Sequence, residues 1–134
     1  TKSYMIDIMA AICLEQMKKL PDTLEKRRHI QKTYNEQLNG ILEIPVWSET
    51  VQHYGARVHS KEHRNKLMDY LADKKIHTSV HYKPLHLHTL LNGNQKLTVA
   101  EEEWQKLISL PCHTAMTDED INYVIYWIKE YFNA

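Results

Sequence analysis

A chain of 134 residues whose 17 basic and 17 acidic side chains cancel is long enough for one domain with an ordinary core, burying roughly 68% of what its unfolded form exposes. Charge balance argues against a nucleic-acid partner, because phosphate-driven binding needs a basic surface. The absence of an apolar run of about 18 residues or a charged-then-apolar leader argues against a membrane partner and a signal peptide; Cys13 and Cys112, without C-x-x-C spacing, read as reduced thiols, so the expected location is cytoplasmic.

The chain starts at Thr1 and enters a helical pattern at once, as expected of a piece of something longer. Over residues 5–20 one face carries Met5, Ile8, Met9, Ile12, Gln16 and Leu20, and Ala10, Ala11, Leu14 and Met17 carry apolar character round the other sides. Such a helix calls for more cover than a domain of this size provides, which points to a further domain or a partner subunit. Pro21 interrupts it, and Asp22 with Glu25 predicts the N-cap of a second helix. That helix buries Leu24, Ile30, Tyr34 and Leu38 and stops at Gly40. Its cluster Lys26-Arg27-Arg28-His29 reads as a solvated face.

Residues 41–47 form a short apolar connection broken by Pro45. Residues 53–59 alternate as a strand, and Ser60 caps a helix with Leu67, Met68 and Leu71 on its buried stripe. A second strand is predicted over residues 78–82, with Thr78, Val80 and Tyr82 on one side and Ser79 and His81 on the other, ended by Pro84. Asn92-Gly93-Asn94 marks a turn. Thr98 with Glu101 predicts a capping box for a helix carrying Val99, Trp104, Leu107 and Ile108. Residues 109–113 read as extended, an edge strand because of Pro111. Thr117 with Asp120 caps a last helix whose stripe is Ile121, Val124, Ile125, Ile128 and Phe132, its aromatics Tyr123, Tyr126, Trp127 and Tyr131 serving as packing. The expected fold class is α+β, with helices packed on a small β-sheet.

The chemistry-bearing stretch is His81-Tyr82-Lys83-Pro84-Leu85-His86-Leu87-His88, in which imidazoles gather in a loop at a strand end. His81 and Tyr82 can exchange hydrogen bonds with hydroxyls, and Lys83 can neutralise a phosphate. Two other readings stand beside a substrate rim. One is a metal-binding module liganded by His81, His86 and His88; the other is a non-catalytic interaction domain that pairs through the helix over residues 5–20. Cys112-His113 is not a thiolate pair, since adjacent residues on a strand face opposite ways. There is no Gly-rich phosphate loop, G-x-S-x-G or H-E-x-x-H.

Taken together, the segment from Met5 through Leu20, Lys26-Arg27-Arg28 with Tyr34-Asn35, Arg64 with Leu67 and Leu71, residues 79–88, Ala100-Glu101, Ser109-Leu110-Pro111 and Thr117-Asp118-Glu119-Asp120 resemble the C-terminal (small) domain of the DegT/DnrJ/EryC1/StrS sugar aminotransferases, in order and at similar spacing. The resemblance implies the C-terminal domain architecture of aspartate-aminotransferase-type (fold type I) enzymes, with residues 1–39 as a helical linker and dimer-interface region and residues 40–134 as the α+β small domain. It implies pyridoxal-phosphate-dependent transfer of an amino group to a nucleotide-linked keto-sugar by a homodimer. The Schiff-base lysine and the cofactor-holding groups would belong to an N-terminal domain, so no catalytic, cofactor-binding or metal residue is expected here, no cofactor is expected on these residues alone, and they alone are expected to be inactive. The substrate-side rim would be His81, Tyr82, Lys83, His86 and His88, matching the family's H-Y-x-P-L-H segment. One departure stands out: Lys2, Ser3 and Tyr4 occupy the region where the family commonly has an asparagine reaching the neighbouring subunit's cofactor.

Overall fold

The computed structural model describes residues 4–44, 52–91 and 95–133. Helix α1 (Asp7–Lys18) runs almost directly into α2 (Leu20–Leu38) through a turn at Lys19. Pro21 does not break this junction. It sits in the first turn of α2, where its missing N–H would have no partner in any case. The predicted Asp22 cap is thereby corrected: the helix already begins at Leu20, no side chain caps it, and Asp22 is an acidic residue of its first turn. Ile30, Tyr34 and Leu38 are buried. The stop is where expected, with Gly40 at φ +82°, a left-handed conformation that glycine adopts without strain.

Strand β1 (Tyr54–Arg57) pairs antiparallel with β2 (Leu107–Leu110), Tyr54 opposite Leu110 and Ala56 opposite Ile108. Alternation sends Tyr54, Ala56, Ile108 and Leu110 to one face, where all four are buried. Helix α3 (Lys61–Asp73) starts at Ser60, whose hydroxyl accepts from the His63 N–H at 3.3 Å, and contributes Leu67 and Leu71. Helix α4 (Thr98–Lys106) leads into β2, and α5 (Asp118–Asn133) contributes Ile121, Val124, Ile125 and Ile128. The Thr117–Asp120 capping box forms in both directions, Thr117 N–H to Asp120 Oδ2 at 2.9 Å and Asp120 N–H to Thr117 Oγ1 at 3.2 Å. Helix α5 lies against both α2 and α3. The architecture is α+β, helices on a small two-stranded antiparallel sheet.

Three local expectations need correction. The helix predicted to carry Leu107 and Ile108 ends at Lys106, both residues belong to β2, and Val99 is 76% exposed. Cross-strand pairing and burial there override helical spacing. Thr98 lies inside α4 and does not cap it; Glu101 alone reaches back, accepting the Leu97 N–H at 2.9 Å.

The strand predicted over residues 78–82 reduces to one bridge, in which Ser79 and Ser109 exchange both backbone hydrogen bonds, at 3.1 and 2.7 Å. In an antiparallel ladder only every second residue of β2 faces that neighbour, namely Leu107, Ser109 and then Pro111. Pro111 has no N–H, its carbonyl accepts from Tyr34 Oη at 3.0 Å, and the Leu107 carbonyl accepts from the Arg64 guanidinium at 3.3 Å. Only the Ser79 pair is left. β2 is thus bonded to β1 along one side and to Ser79 at one point on the other.

Helix α1 touches α2 and contributes no buried residue. Tyr4, Met5, Ile6, Ile8, Met9, Ile12, Leu14 and Met17 are all at least half exposed. Pro45 and Trp47, the Asn92-Gly93-Asn94 turn, and Lys2 and Ser3 lie outside the described residues.

Candidate functional site

The face of the ribbon opposite the core carries the polar groups. Because paired residues share a face, Ser109, its partner Ser79, and His53 and His81 two residues along their own segments all fall on this side. His81 Nδ1 lies 2.9 Å from Ser109 Oγ. The His53 ring stacks on His81 at 4.0 Å between centroids and 18° between planes, and His53 Nε2 lies 3.3 Å from Tyr82 Oη. Tyr82 packs edge-on to His81 at 4.6 Å. The His81–Tyr82 peptide bond is cis.

Burial, and then the neighbouring His53, hold the His81 imidazole below its ordinary value. At neutral pH His81 is therefore an uncharged hydrogen-bonding group, and Lys83, two residues on, is exposed.

The remaining predicted residues point elsewhere. Two 3-10 turns, Leu85–Leu87 and Thr89–Leu91, follow Pro84 and fold the loop back on α4. The His86 side chain is 11% exposed, with Nε2 3.0 Å from Glu101 Oε1. The His86 bond first, and the Leu97 N–H second, hold the Glu101 carboxyl below the usual range, so Glu101 is an ionised acceptor and His86 the donor. His86 thus anchors the loop. His88 Nε2 reaches the Lys83 carbonyl at 3.4 Å, closing the loop on itself. His81 and Tyr82 are brought together; His86 and His88 are not brought to them. Among the described residues no three His, Cys, Asp or Glu side chains converge as metal ligands.

Sequence reasoning missed His53 and Ser109. The signal was weak, a histidine just before one strand and a serine in another, since only the β1–β2 register and the Ser79–Ser109 bridge show that they share a face with His81.

These groups line a depression of about 250 Å³ together with Gln52, His77 and Ser79. Ligand pockets usually enclose about 300–1,000 Å³, so this depression alone is smaller than such a pocket. Two larger depressions are not lined by the stacked histidines. One of about 620 Å³ separates α2 from the start of α5, where His29 is already held by Asp118 at 2.7 Å. Another of about 560 Å³ lies between Lys75 and the first turns of α5. Neither gathers the predicted rim residues.

The described lysines do not fit a covalently bound aldehyde cofactor such as pyridoxal phosphate. None of the described lysines is buried; Lys18, Lys32 and Lys66 pair with carboxylates at the surface, and Lys74 lies over the Trp127 ring at 4.2 Å. A Schiff-base lysine needs a desolvated setting that keeps its amine neutral.

The chain is 28% identical over 134 residues to GDP-perosamine synthase of Escherichia coli O157:H7, covering 96% of this chain and 37% of that protein. It is 29% identical over 124 residues to dTDP-4-dehydro-2,3,6-trideoxy-D-glucose 4-aminotransferase of Saccharopolyspora spinosa, covering 88% of this chain and 32% of that enzyme. A DegT DnrJ EryC1 StrS aminotransferase from Brucella abortus superposes with a TM-score of 0.82 at 26% identity, over 95% of this chain and 36% of that one. The chain thus spans about a third of the length of these proteins. The family model for DegT/DnrJ/EryC1/StrS aminotransferases matches residues 1–129, and the chain belongs to that family.

Proposed function

We propose that these 134 residues form the C-terminal part of a pyridoxal-phosphate-dependent aminotransferase that transfers an amino group to a nucleotide-linked keto-sugar. The observation that carries this reading is the family match along residues 1–129, at about a third of the relatives' length. In it, the N-terminal part supplies the lysine and the phosphate-holding groups. The residues here supply one wall of the substrate site.

His81 and Tyr82 offer hydrogen bonds to sugar hydroxyls, and Lys83 sets a positive charge beside the diphosphate. His86 and His88 act on the same rim, His86 by tying the loop to α4 and His88 by closing it on Lys83. Residues 1–39 serve as linker and interface and residues 40–134 as the small domain. The uncovered apolar surface of α1 supports a role in docking the N-terminal part and in building a homodimer. We place the enzyme in the cytoplasm, a reading supported by free Cys13 and Cys112. Among the described residues no helix is long and apolar enough to cross a membrane.

The test is amino transfer from glutamate to a nucleotide-linked keto-sugar, followed by mass spectrometry of the sugar product. The complete protein is expected to form the amino-sugar and the 134-residue chain to form none. Amino-sugar formed by the short chain, or none formed by the complete protein with any nucleotide-linked keto-sugar, would overturn the reading.

A further inference from the structure

We infer that His53 and Ser109 are positioning residues of the rim, holding His81 and Tyr82 in one arrangement so that both present their polar ends to the same ligand. The inference rests on the reading that His81 and Tyr82 face the substrate. Neither positioning residue belongs to the H-Y-x-P-L-H segment: Ser109 reaches it from β2 and His53 from the bend just before β1.

The geometry separates their tasks. Ser109 is buried in β2, and its hydroxyl holds His81 Nδ1 at 2.9 Å, which leaves Nε2 as the ring nitrogen without a protein partner among the described residues. A serine hydroxyl can donate to or accept from Nδ1, so this bond fixes where the ring sits whichever neutral tautomer it holds. His53 does two things at once. Its ring lies flat on His81 at 4.0 Å, and its Nε2 lies 3.3 Å from Tyr82 Oη, so one side chain fixes the plane of the histidine and the direction of the phenol. Tyr82 is 69% exposed and has little packing of its own to hold it there.

Lowered basicity of His81, caused first by burial and then by His53, fits a ring that works uncharged. The titratable groups around it are His53 on the stacked face, Tyr82 at its edge, and His77 and Cys112 along the same depression.

The test uses histidine-labelled complete protein and the variants Ser109→Ala, Ser109→Thr and His53→Phe. Ring-nitrogen chemical shifts of His81 report the hydrogen bond at Nδ1. Ser109→Ala is expected to move the Nδ1 shift away from its wild-type value, and Ser109→Thr to restore it. His53→Phe keeps a stacked ring but removes a titrating neighbour and the Tyr82 partner, so the His81 titration midpoint is expected to rise. Both Ser109→Ala and His53→Phe are expected to raise KM for the nucleotide-linked sugar roughly five- to tenfold, the worth of one hydrogen bond, with kcat within about twofold. Unchanged His81 shifts and unchanged KM in both variants would overturn the inference. If the wild type uses no nucleotide-linked sugar, the functional reading fails on its own, while the His81 shifts and midpoint still decide whether His53 and Ser109 position the ring.

Discussion

Helix α1 makes a differential prediction that separates a docking surface from a structural element. Ile8 and Ile12 are 70% and 52% exposed. Replacing both by glutamine removes little that the 134-residue chain buries, and glutamine is the better helix former. The isolated chain should therefore change stability by no more than about 0.5 kcal/mol per site. If α1 docks as proposed, the same residues are covered in the complete protein. Fully burying an isoleucine is worth about 1.5–3 kcal/mol, and scaling by the exposed fractions gives about 1–2 kcal/mol for Ile8 and about 0.8–1.6 kcal/mol for Ile12. Together that is about 2–4 kcal/mol, or roughly 30- to 700-fold in an association constant. Urea unfolding of the short chain reads the first quantity, and sedimentation of the complete protein across a dilution series reads the second. A loss above about 1 kcal/mol in the short chain, or unaltered assembly in the complete protein, would refute the reasoning.

Other predictions concern the scaffold beneath the rim. Tyr34→Phe removes the bond to the Pro111 carbonyl from a fully buried ring whose phenol burial pushes well up; it should cost about 1 kcal/mol, read as a fall in Tm of roughly 3–4 °C. Gly40→Ala meets no atom within 4 Å, yet the φ of +82° alone should destabilise the chain by about 1 kcal/mol in chemical denaturation. Glu101 has a depressed carboxyl, so its contribution to stability is present above the ordinary carboxylate range and is lost as pH falls through the lower folded value. In His86→Gln the Glu101 carboxyl, followed by carbon NMR, should titrate at higher pH than in the wild type.

Much of this was legible because it is local. Ser60 and the Thr117–Asp120 pair announce their helices, and the stripe of Ile121, Val124, Ile125 and Ile128 needs only a 3.6-residue period to be found. The uncovered α1 was legible too, as an excess of apolar residues with no core to receive them. What stayed hidden was pairing between distant segments. Leu107 and Ile108 continue the helical spacing of α4, and only β1 makes them a strand. Thr78, Val80 and Tyr82 alternate convincingly, but the acceptors that would extend their ladder are spent on Arg64 and Tyr34. At the site, Ser109 and His53 lie 28 and 29 residues from the groups they hold, beyond the reach of any local pattern.

The central claim is that these residues wall and dock a reaction centre whose covalent chemistry lies outside them. Borohydride reduction in the presence of pyridoxal phosphate, followed by peptide mass spectrometry, measures this directly. The account predicts stoichiometric labelling of one lysine outside these 134 residues in the complete protein, and no site-specific labelling of the 134-residue chain. Stoichiometric labelling of a single lysine within the chain would contradict it.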